Sequence, residues 1–402
     1  MCFDTNQEPT IKNQGQSTKS VFMLVEIERI LPGGVGLAHA DGKTIFVSLA
    51  ATGDRVLIRI DRQQGNLLFA SVEEVIEPGP DRIEPPCPYF GRCGGCDFQQ
   101  LTYEAQLNAK ANIIKDCLQR IGKLETPDIT VVPSPNAWRY RARATWQLDA
   151  ERKTIGYYER GSRRVCDVAD CAILVPQLQK TLERVRDIQP PEQLRHLDVV
   201  TGDTGVSLAP AVGDFETTEV TLTVEGETYR YNAEAFFQIN QQMLPHVLEF
   251  ALGQAAGETA FDLYSGVGLF TLPLARRFKR ITAIESNPTA TGFAGKNVES
   301  AGLHNVTVVT ATVTDWIRSV TRDPPKVDFV LLDPPRAGAE SAVVKGILDL
   351  KPAQICYVSC DPATLARDLK KFVAGGFQIE SLRGFDMFPQ THHVETVVHL
   401  TR

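Results

Sequence analysis

Residues 260–285, AFDLYSGVGLFTLPLARRFKRITAIE, hold the pattern that decides the fold of the larger part of this chain. An apolar run that ends at Tyr264 leads into a turn with Gly266 and Gly268, and a second apolar run ends at the acidic Glu285. Glycines at such a turn let a ligand approach the backbone and the start of the following helix closely. The complete G-x-G-x-x-G fingerprint is absent, and no phosphate-binding lysine follows. The stretch predicts a strand, a ligand-binding turn, a helix and a second strand.

The same alternation continues from about Phe236 to the end of the sequence. Apolar runs that are typical of buried parallel strands occur at 260–264, 281–284, 306–309, 327–332 and 355–358. Helices are expected at 268–278, 288–301 and 363–374, and two more strands near 377–382 and 394–400. We therefore predict an α/β fold with a doubly wound sheet over 233–402, whose ligands bind at the carboxyl ends of its strands.

The part of the sequence before this sheet is organised differently, and a length of 402 residues suggests two or three domains. Residues 1–19 are polar and lack the apolar segment of a signal peptide, so we expect a disordered lead-in there. Residues 20–76 consist of short β-branched runs separated by Gly-containing turns, among them Gly42, Gly53 and Gly65. About five strands in this length predict a small barrel of the OB type.

Cysteines mark the central block, residues 77–232. Three of them, Cys87, Cys93 and Cys96, lie close together around a Gly-Gly pair, and a fourth candidate, Cys171, follows far downstream beside Cys166. Four thiolates are what zinc or an iron–sulfur cluster requires, and the spacing leaves the type of metal open. Because the nine cysteines occur without an export signal, we expect reduced thiols and a cytoplasmic protein.

The balance of charge does not by itself indicate a nucleic-acid-binding protein, since the formal net charge is −7. Charge acts locally, however, and the stretch from Arg139 to Arg164 holds eight Arg and Lys residues against three acidic ones. Tryptophans and tyrosines are interleaved with them, a combination that suits single-stranded RNA. The alternative is a solvated face of a small sheet. No apolar run is long enough to predict a membrane partner.

Two more strand ends carry polar groups of chemical interest. Asp333-Pro334-Pro335-Arg336 follows the apolar run 327–332, and Cys360 follows the run 355–358. Asp361 and Pro362 are typical of a helix N-cap and first helical position, so Cys360 should lie beside a helix N-terminus. The helix dipole there would lower the pKa of the thiol, which predicts a reactive cysteine.

The pattern D-x-x-x-G-x-G at 262–268, followed by Glu285, resembles class I methyltransferases, and Asp-Pro-Pro-Arg resembles a motif of nucleic-acid methyltransferases. In the methyltransferase version of this sheet, the last strand inserts antiparallel beside the fifth. Glu395 begins that last strand, so it should lie opposite Cys360 and near Asp333. A thiol and a carboxylate at a methyl-donor site suggest methylation of uracil C5. Addition of Cys360 to C6 makes C5 nucleophilic, and Glu395 then removes the C5 proton.

These motifs, together with the cysteines, the Phe-Phe-Gln-x-Asn segment at 236–240 and the sequence His-Val-Glu-Thr, resemble the RNA uracil-C5 methyltransferase family over nearly the whole chain. The first block resembles a TRAM domain, an RNA-binding barrel. TRAM plus four cysteines is similar to the branch that acts on 23S ribosomal RNA and holds a 4Fe–4S cluster. The resemblance implies S-adenosylmethionine contacts at Gln238, Tyr264, Glu285 and Asp333, and cluster ligands at Cys87, Cys93, Cys96 and Cys171.

The resemblance also implies that Cys360 is the nucleophile, that Glu395 is the base, and that a helix over about 102–122 packs on the catalytic domain. We expect a monomer. One departure is Ala311-Thr312, where the family commonly has Asn or Asp near the adenine. Cys166, close to Cys171, leaves the fourth cluster ligand open.

Three alternatives remain open at this point. The chain could be an RNA-binding protein with an inactive methyltransferase fold, although Cys360 and Glu395 argue against this. It could modify DNA or cytosine, but cytosine-C5 enzymes usually place a Pro-Cys nucleophile where this chain has Asp333-Pro334-Pro335. Within the favoured class, the T-loop of tRNA is the second candidate substrate.

Overall fold

The structure is a computed structural model that describes residues 21–125, 128–188 and 191–402. The lead-in expected over residues 1–19 lies outside the described residues. The chain divides into two compact units, of which one extends to Glu84 and includes Gln100–Ala105, and the other comprises Pro85–Gln99 and Gln106–Arg402. The domain boundaries near 76 and 232 stay predictions. None of the helices in the described ranges has the length and apolarity needed to cross a bilayer.

The first unit contains a six-stranded sheet. Its strands are β1 Phe22–Glu26, β2 Arg29–Leu31, β3 Val35–Ala40, β4 Lys43–Ser48, β5 Arg55–Gln64 and β6 Leu67–Glu77. They lie in the order β1-β5-β6-β4-β3-β2, with β4 and β6 parallel and the other neighbours antiparallel. Gly42, Gly53 and Gly65 take positive φ at the predicted turns. The predicted strands and turns are confirmed, with one strand more than expected, while an OB-type barrel stays a prediction.

The second unit begins with the cysteine-bearing segment and a helix, followed by two small sheets. The elements are α1 Tyr103–Cys117, β7 Val131–Val132, β8 Arg143–Asp149, β9 Thr154–Tyr158, β10 Val165–Asp167, α2 Pro176–Ile188, β11 His196–Thr201, β12 Val206–Ala209, β13 Val220–Val224 and β14 Glu227–Tyr231. A π-helical turn, Leu118–Gly122, continues α1. Strands β10-β9-β8-β11-β12 form one sheet, and β13 pairs with β14. The core under the larger of these two sheets includes Trp146, Leu178 and Leu182, which are fully buried.

The large sheet follows. Its strands are β15 Gly257–Leu263, β16 Phe278–Glu285, β17 Val306–Thr310, β18 Phe329–Leu332, β19 Gln354–Ser359, β20 Gln378–Phe385 and β21 Glu395–Thr401. The helices are α3 Leu244–Leu252, α4 Thr271–Ala275, α5 Pro288–Ser300, α6 Val313–Val320, α7 Ser341–Leu350 and α8 Pro362–Ala374. With β7 at one edge, the strand order is β17-β16-β15-β18-β19-β21-β20-β7.

The first five strands in this order are parallel, and β21 lies antiparallel between β19 and β20. Side chains alternate between two cores, with Phe329 and Leu331 on one face and Val330 and Leu332 on the other. A sheet that is buried on both faces explains why its strands are continuous apolar runs. The doubly wound α/β fold is thereby confirmed, including the antiparallel last strand.

One predicted helix is much shorter than expected. The sequence favoured a helix over 268–278, but α4 covers only Thr271–Ala275, and Phe278 already begins β16. Phe278 pairs in parallel with Gly257, so contacts with a neighbouring strand extend β16 at the expense of the helix. Pairing between distant residues can override local propensity, which is a weak preference.

The helix predicted over about 102–122 is present as α1 and its π-helical turn. Its apolar side chains Ile114 and Leu118 lie in the same buried core as Leu365 and Leu369 of α8. A second link is polar, because Lys110 of α1 forms a fully buried ion pair with Asp386, at the end of β20. The helix therefore packs on the domain that holds the large sheet.

Candidate functional site

The glycine turn and Glu285 lie together at the carboxyl end of β15 and β16. Tyr264, Gly266 and Gly268 all have positive φ, and Gly266 donates its N–H to Glu285 Oε2 at 3.2 Å. Glu285 Oε1 accepts the N–H of Asn287 at 2.7 Å. These hydrogen bonds fix the carboxylate beside the turn. A carboxylate in this position can accept ribose hydroxyls, and the contact of Glu285 with a cofactor stays a prediction.

Asp333 follows β18 and lies beside this turn, because its N–H donates to Leu263 O at the end of β15 (3.2 Å). Gln238 Nε2 donates to Asp333 Oδ2 at 3.4 Å. Burial, with the charge of Asp262 as the second cause, raises the pKa of Asp333 to about 7. The structure thus brings together Gln238, Asp333 and the glycine turn at one edge of the sheet.

Cys360 and Glu395 are neighbours across the same edge. Strands β19 and β21 pair antiparallel with Ser359 opposite Thr396, so the next positions outward are Cys360 and Glu395. The prediction from topology that these two residues face one another is confirmed. Asp361 caps α8, its carboxylate accepting the N–H groups of Ala363 and Thr364 at 3.0 and 2.8 Å.

The sequence predicted a low pKa for the Cys360 thiol, and this prediction is wrong. Burial raises the pKa of Cys360 to about 12, and the negative charges of Glu395 and Asp333 add to the shift. The sequence indicated the helix N-terminus correctly, but it did not reveal that two carboxyl groups and apolar surroundings outweigh the helix dipole. The guanidinium of Arg336 opposes the shift.

Glu395 is almost fully buried, and its Oε1 has no hydrogen-bond partner among the described residues. Burial raises the pKa of Glu395 well above its ordinary value, with Asp333 adding to the effect and Arg336 opposing it. A desolvated carboxyl group of this kind is a candidate proton acceptor. Arg336, whose role the sequence did not reveal, acts on both Cys360 and Glu395 and donates to His393 Nε2 at 3.5 Å.

The two phenylalanines next to Gln238 differ in their exposure to solvent. Phe237 is buried and stacks on Tyr231 with ring centroids 4.3 Å apart, whereas Phe236 is 61% exposed. The Arg143 guanidinium lies 5.8 Å from the Phe236 ring centroid. Of these two phenylalanines, Phe236 is therefore the one available as an aromatic surface for a planar base.

A second candidate site is a partly open cavity in the central block. Cys87, Cys93, Cys96 and Cys171 all line it. Cys166 lies instead in β10, where its Sγ accepts a hydrogen bond from Arg92 Nε at 3.2 Å. Burial raises the pKa of Cys93 to about 11 and that of Cys96 to about 12. Of the two downstream cysteines, it is Cys171 that shares the cavity with the other three.

The four thiols surround this cavity without converging on one point. Within the described ranges, no three His, Cys, Asp or Glu side chains are arranged to hold a single metal ion. Tetrahedral zinc would need its sulfur ligands about 2.3 Å from a common centre. A cubane cluster binds each thiolate through a different iron, so its ligands are spread around a larger volume. Four cysteines around one cavity are a donor set of the kind that zinc or a cluster requires.

The basic aromatic stretch is less exposed than its sequence suggested. Trp146 and Tyr140 belong to the core, and Tyr140 donates its O–H to Pro389 O at 2.8 Å. Arg141 lines the cysteine cavity rather than the surface. The exposed basic side chains of the stretch are Arg139, Arg152, Lys153, Arg163 and Arg164. The predicted RNA contacts among the basic side chains therefore narrow to these five, since Arg143 donates to the carbonyl groups of Ala233 and Ala235 and Arg160 donates to that of Cys96.

Comparison with known proteins places the chain among RNA methyltransferases. The sequence model described as tRNA (Uracil-5-)-methyltransferase matches residues 212–402. A 23S rRNA (uracil(1939)-C(5))-methyltransferase of Chromohalobacter salexigens is 34% identical, over 94% of this chain and 89% of that protein. A protein of the same name from Pseudomonas putida is 32% identical, over 93% and 92%.

Among solved structures, the tRNA (uracil-54, C5)-methyltransferase of Pyrococcus abyssi in complex with S-adenosyl-L-homocysteine is similar to this fold. Its TM-score is 0.76 at 24% sequence identity, over 94% of this chain and 99% of that chain. The two proteins share the arrangement of the sheet and its helices.

Proposed function

Because this chain belongs to the RNA uracil-C5 methyltransferase family, we propose that it methylates C5 of a uridine in 23S ribosomal RNA, with S-adenosylmethionine as donor. The observation that carries the proposal is the position of the Cys360 thiol beside the Glu395 carboxyl group, at the carboxyl edge of the sheet and next to Asp333. The two relatives named for 23S ribosomal RNA are 34% and 32% identical to this chain, against 24% for the tRNA enzyme, which favours ribosomal RNA over tRNA.

The donor site is proposed at the edge formed by the glycine turn. Glu285 would accept the ribose hydroxyls, while Tyr264, Gln238 and Asp333 would contact the rest of the molecule. S-adenosylmethionine, when bound, supplies an electrophilic methyl group. The Pyrococcus abyssi protein, which has this fold, is described in complex with S-adenosyl-L-homocysteine, the demethylated form of that donor.

Cys360 and Glu395 act at different steps of the reaction on the uracil ring. The Cys360 thiol loses its proton to solvent, its sulfur bonds to C6, and the electrons of the C5–C6 double bond shift so that C5 becomes nucleophilic. After C5 has gained its methyl group, Glu395 accepts the C5 proton. The double bond then re-forms, the carbon–sulfur bond breaks, and Cys360 is released. Because C5 must be reached from both faces, the uridine has to leave its stack, and the exposed Phe236 offers a surface for it.

The experiment that tests the proposed function is the mapping of 5-methyluridine in ribosomal and transfer RNA from a strain that lacks this protein. We expect one 23S ribosomal RNA uridine to lose its methyl group and to regain it when the wild-type protein, but not Cys360→Ala, is supplied. Loss from the T-loop of tRNA would support the second candidate substrate. Unchanged methylation of every RNA would favour an RNA-binding protein without activity.

We propose further that Cys87, Cys93, Cys96 and Cys171 hold a 4Fe–4S cluster. The cavity that they line fits a group with four separate thiolate positions. Arg141, which lines the same cavity, lowers the pKa values of Cys96 and Cys171 by its positive charge, although burial dominates and raises both. A buried cation of this kind would stabilise the four thiolates of a negatively charged cluster site.

The cluster leads to a prediction with a matched control. Protein purified without oxygen should be brown and contain about four irons, and Cys93→Ser should lose iron and visible absorbance and fold poorly. Cys166→Ser should keep the iron, since Cys166 lies outside the cavity. Zinc in stoichiometric amount with no visible absorbance, or loss of iron in Cys166→Ser, would contradict the assignment.

Residues 20–76 are proposed to be a TRAM domain that binds RNA, and the exposed basic residues of the central block are proposed as RNA contacts in their own right. We expect Arg163→Ala combined with Arg164→Ala to weaken RNA binding and to reduce the slope of log K against log salt by about 0.7 for each lost phosphate contact. Arg318→Ala, which removes an equally exposed arginine on α6, is the control. Equal slopes for all three proteins would make the stretch a solvated sheet face.

A further inference from the structure

The loop that leads into Glu395, residues 386–394, is held by parts of the chain that lie far away in sequence. Lys110 donates to Phe388 O at 3.0 Å, and Gln106 exchanges two hydrogen bonds of 3.0 Å with Gln390. The N–H groups of Asp97 and of the residue after it both donate to Gln390 O, again at 3.0 Å. This loop, which we call the Glu395 loop, is thus bound to α1 and to the segment that directly follows Cys96.

A further side-chain contact in this network joins Asp97 to His392. The His392 backbone N–H donates to Asp97 Oδ1 at 2.7 Å, and its ring Nδ1–H donates to Asp97 Oδ2 at 2.6 Å. Both side chains are largely shielded, with 15% of Asp97 and 24% of His392 exposed. Two short hydrogen bonds to one carboxyl group fix both the backbone and the ring of His392.

The direction of the Glu395 carboxyl group depends on this loop. Glu395 begins β21, three residues after His392, and its Oε1 has no hydrogen-bond partner among the described residues. The position of the carboxyl group is therefore set more by the path of the backbone into β21 than by hydrogen bonds of the carboxyl group itself. Gln390 has a φ of +68°, a conformation that non-glycine residues keep only where the surroundings impose it.

We propose that Asp97 and His392 are a positioning pair that holds Glu395 at the C5 proton of the uridine. This inference rests on the proposed function. Neither residue touches the reacting atoms, and Cys360 and Asp333 are presented by other strands. Loss of the pair should therefore slow proton removal and release of Cys360, while addition to C6 and methyl transfer continue.

The experiment compares Asp97→Ala with the wild type in a single turnover on target RNA with labelled S-adenosylmethionine. We expect methyl transfer to stay within about twofold, while release of the covalent RNA adduct slows roughly tenfold or more, because small displacements of a catalytic group have large effects on rate. A slow band that carries both RNA and label should then build up on a denaturing gel. Glu395→Gln, in which release is blocked, is the reference on the same gel.

Asp97→Asn retains an acceptor for the backbone N–H and a polar partner for the ring, so it should restore most of the release rate. His392→Ala keeps the backbone hydrogen bond and should slow release less than Asp97→Ala, and the double variant should be no slower than Asp97→Ala alone. Asp214→Ala, an exposed aspartate paired with Arg184, is the control and should behave as the wild type.

Release at the wild-type rate in Asp97→Ala would overturn the proposal. A parallel fall of methyl transfer and release, with a lower unfolding temperature in Asp97→Ala and His392→Ala alike, would also overturn it, because that is the signature of a purely structural contact. If Glu395→Gln itself accumulates no adduct, the proposed function is contradicted, and the positioning role is contradicted with it.

Discussion

Cys360→Ala is expected to abolish both methyl transfer and the covalent RNA complex, because the change removes the proposed nucleophile and C5 is then never activated. The loss in rate should be on the order of 10⁴-fold or more, as is found when a catalytic nucleophile is removed. The measurement is incorporation of labelled methyl groups into target RNA, with a denaturing gel for the adduct. The variant should still bind RNA, since the change removes one half-buried sulfur.

Cys356→Ala is the matched control for this prediction. Cys356 lies in the middle of β19 and is fully buried, so its replacement should affect stability more than activity. Adduct formation that persists in Cys360→Ala and disappears in Cys356→Ala would move the nucleophile to the strand interior and would contradict the proposed chemistry.

Glu395→Gln is expected to stop the reaction at a later stage. The amide keeps the shape of the side chain but cannot accept the C5 proton, so a methylated RNA should remain covalently bound to Cys360. Turnover should fall roughly 10²–10⁴-fold, the usual contribution of a general base. Wild-type protein on RNA with 5-fluorouridine at the target should give the same species, because fluorine cannot leave as a proton does.

The stability of Glu395→Gln separates this effect from misfolding. Burial raises the pKa of Glu395 in the folded protein above its unfolded value, so its contribution to stability is fully present below the unfolded pKa and is lost as the pH rises toward the folded pKa. A neutral amide has no such loss, and the variant should be at least as stable as the wild type at neutral pH. Glu380→Gln, at an exposed position of β20, is the control for activity. Normal turnover by Glu395→Gln would place the base elsewhere.

The sequence by itself determined features whose causes lie close together along the chain. Alternation of apolar runs and helical segments predicted the doubly wound sheet, because burial on both faces leaves that pattern in each strand. The N-cap at Asp361 followed from residue types within one helical turn. The resemblance to methyltransferases supplied the antiparallel last strand, and this topology brings Cys360 opposite Glu395, since the end of one strand meets the start of the other.

Features that depend on distant residues were decided only by the tertiary structure. The helix predicted over 268–278 is shortened by β16, because Phe278 pairs with Gly257. The pKa of Cys360 is raised, because the thiol is buried and lies near two carboxyl groups. Cys171, rather than Cys166, lines the cysteine cavity because β10 holds Cys166 in another position. The contact of Asp97 with His392 spans 295 positions, and no local periodicity, cap or motif records which partner a side chain meets at that distance.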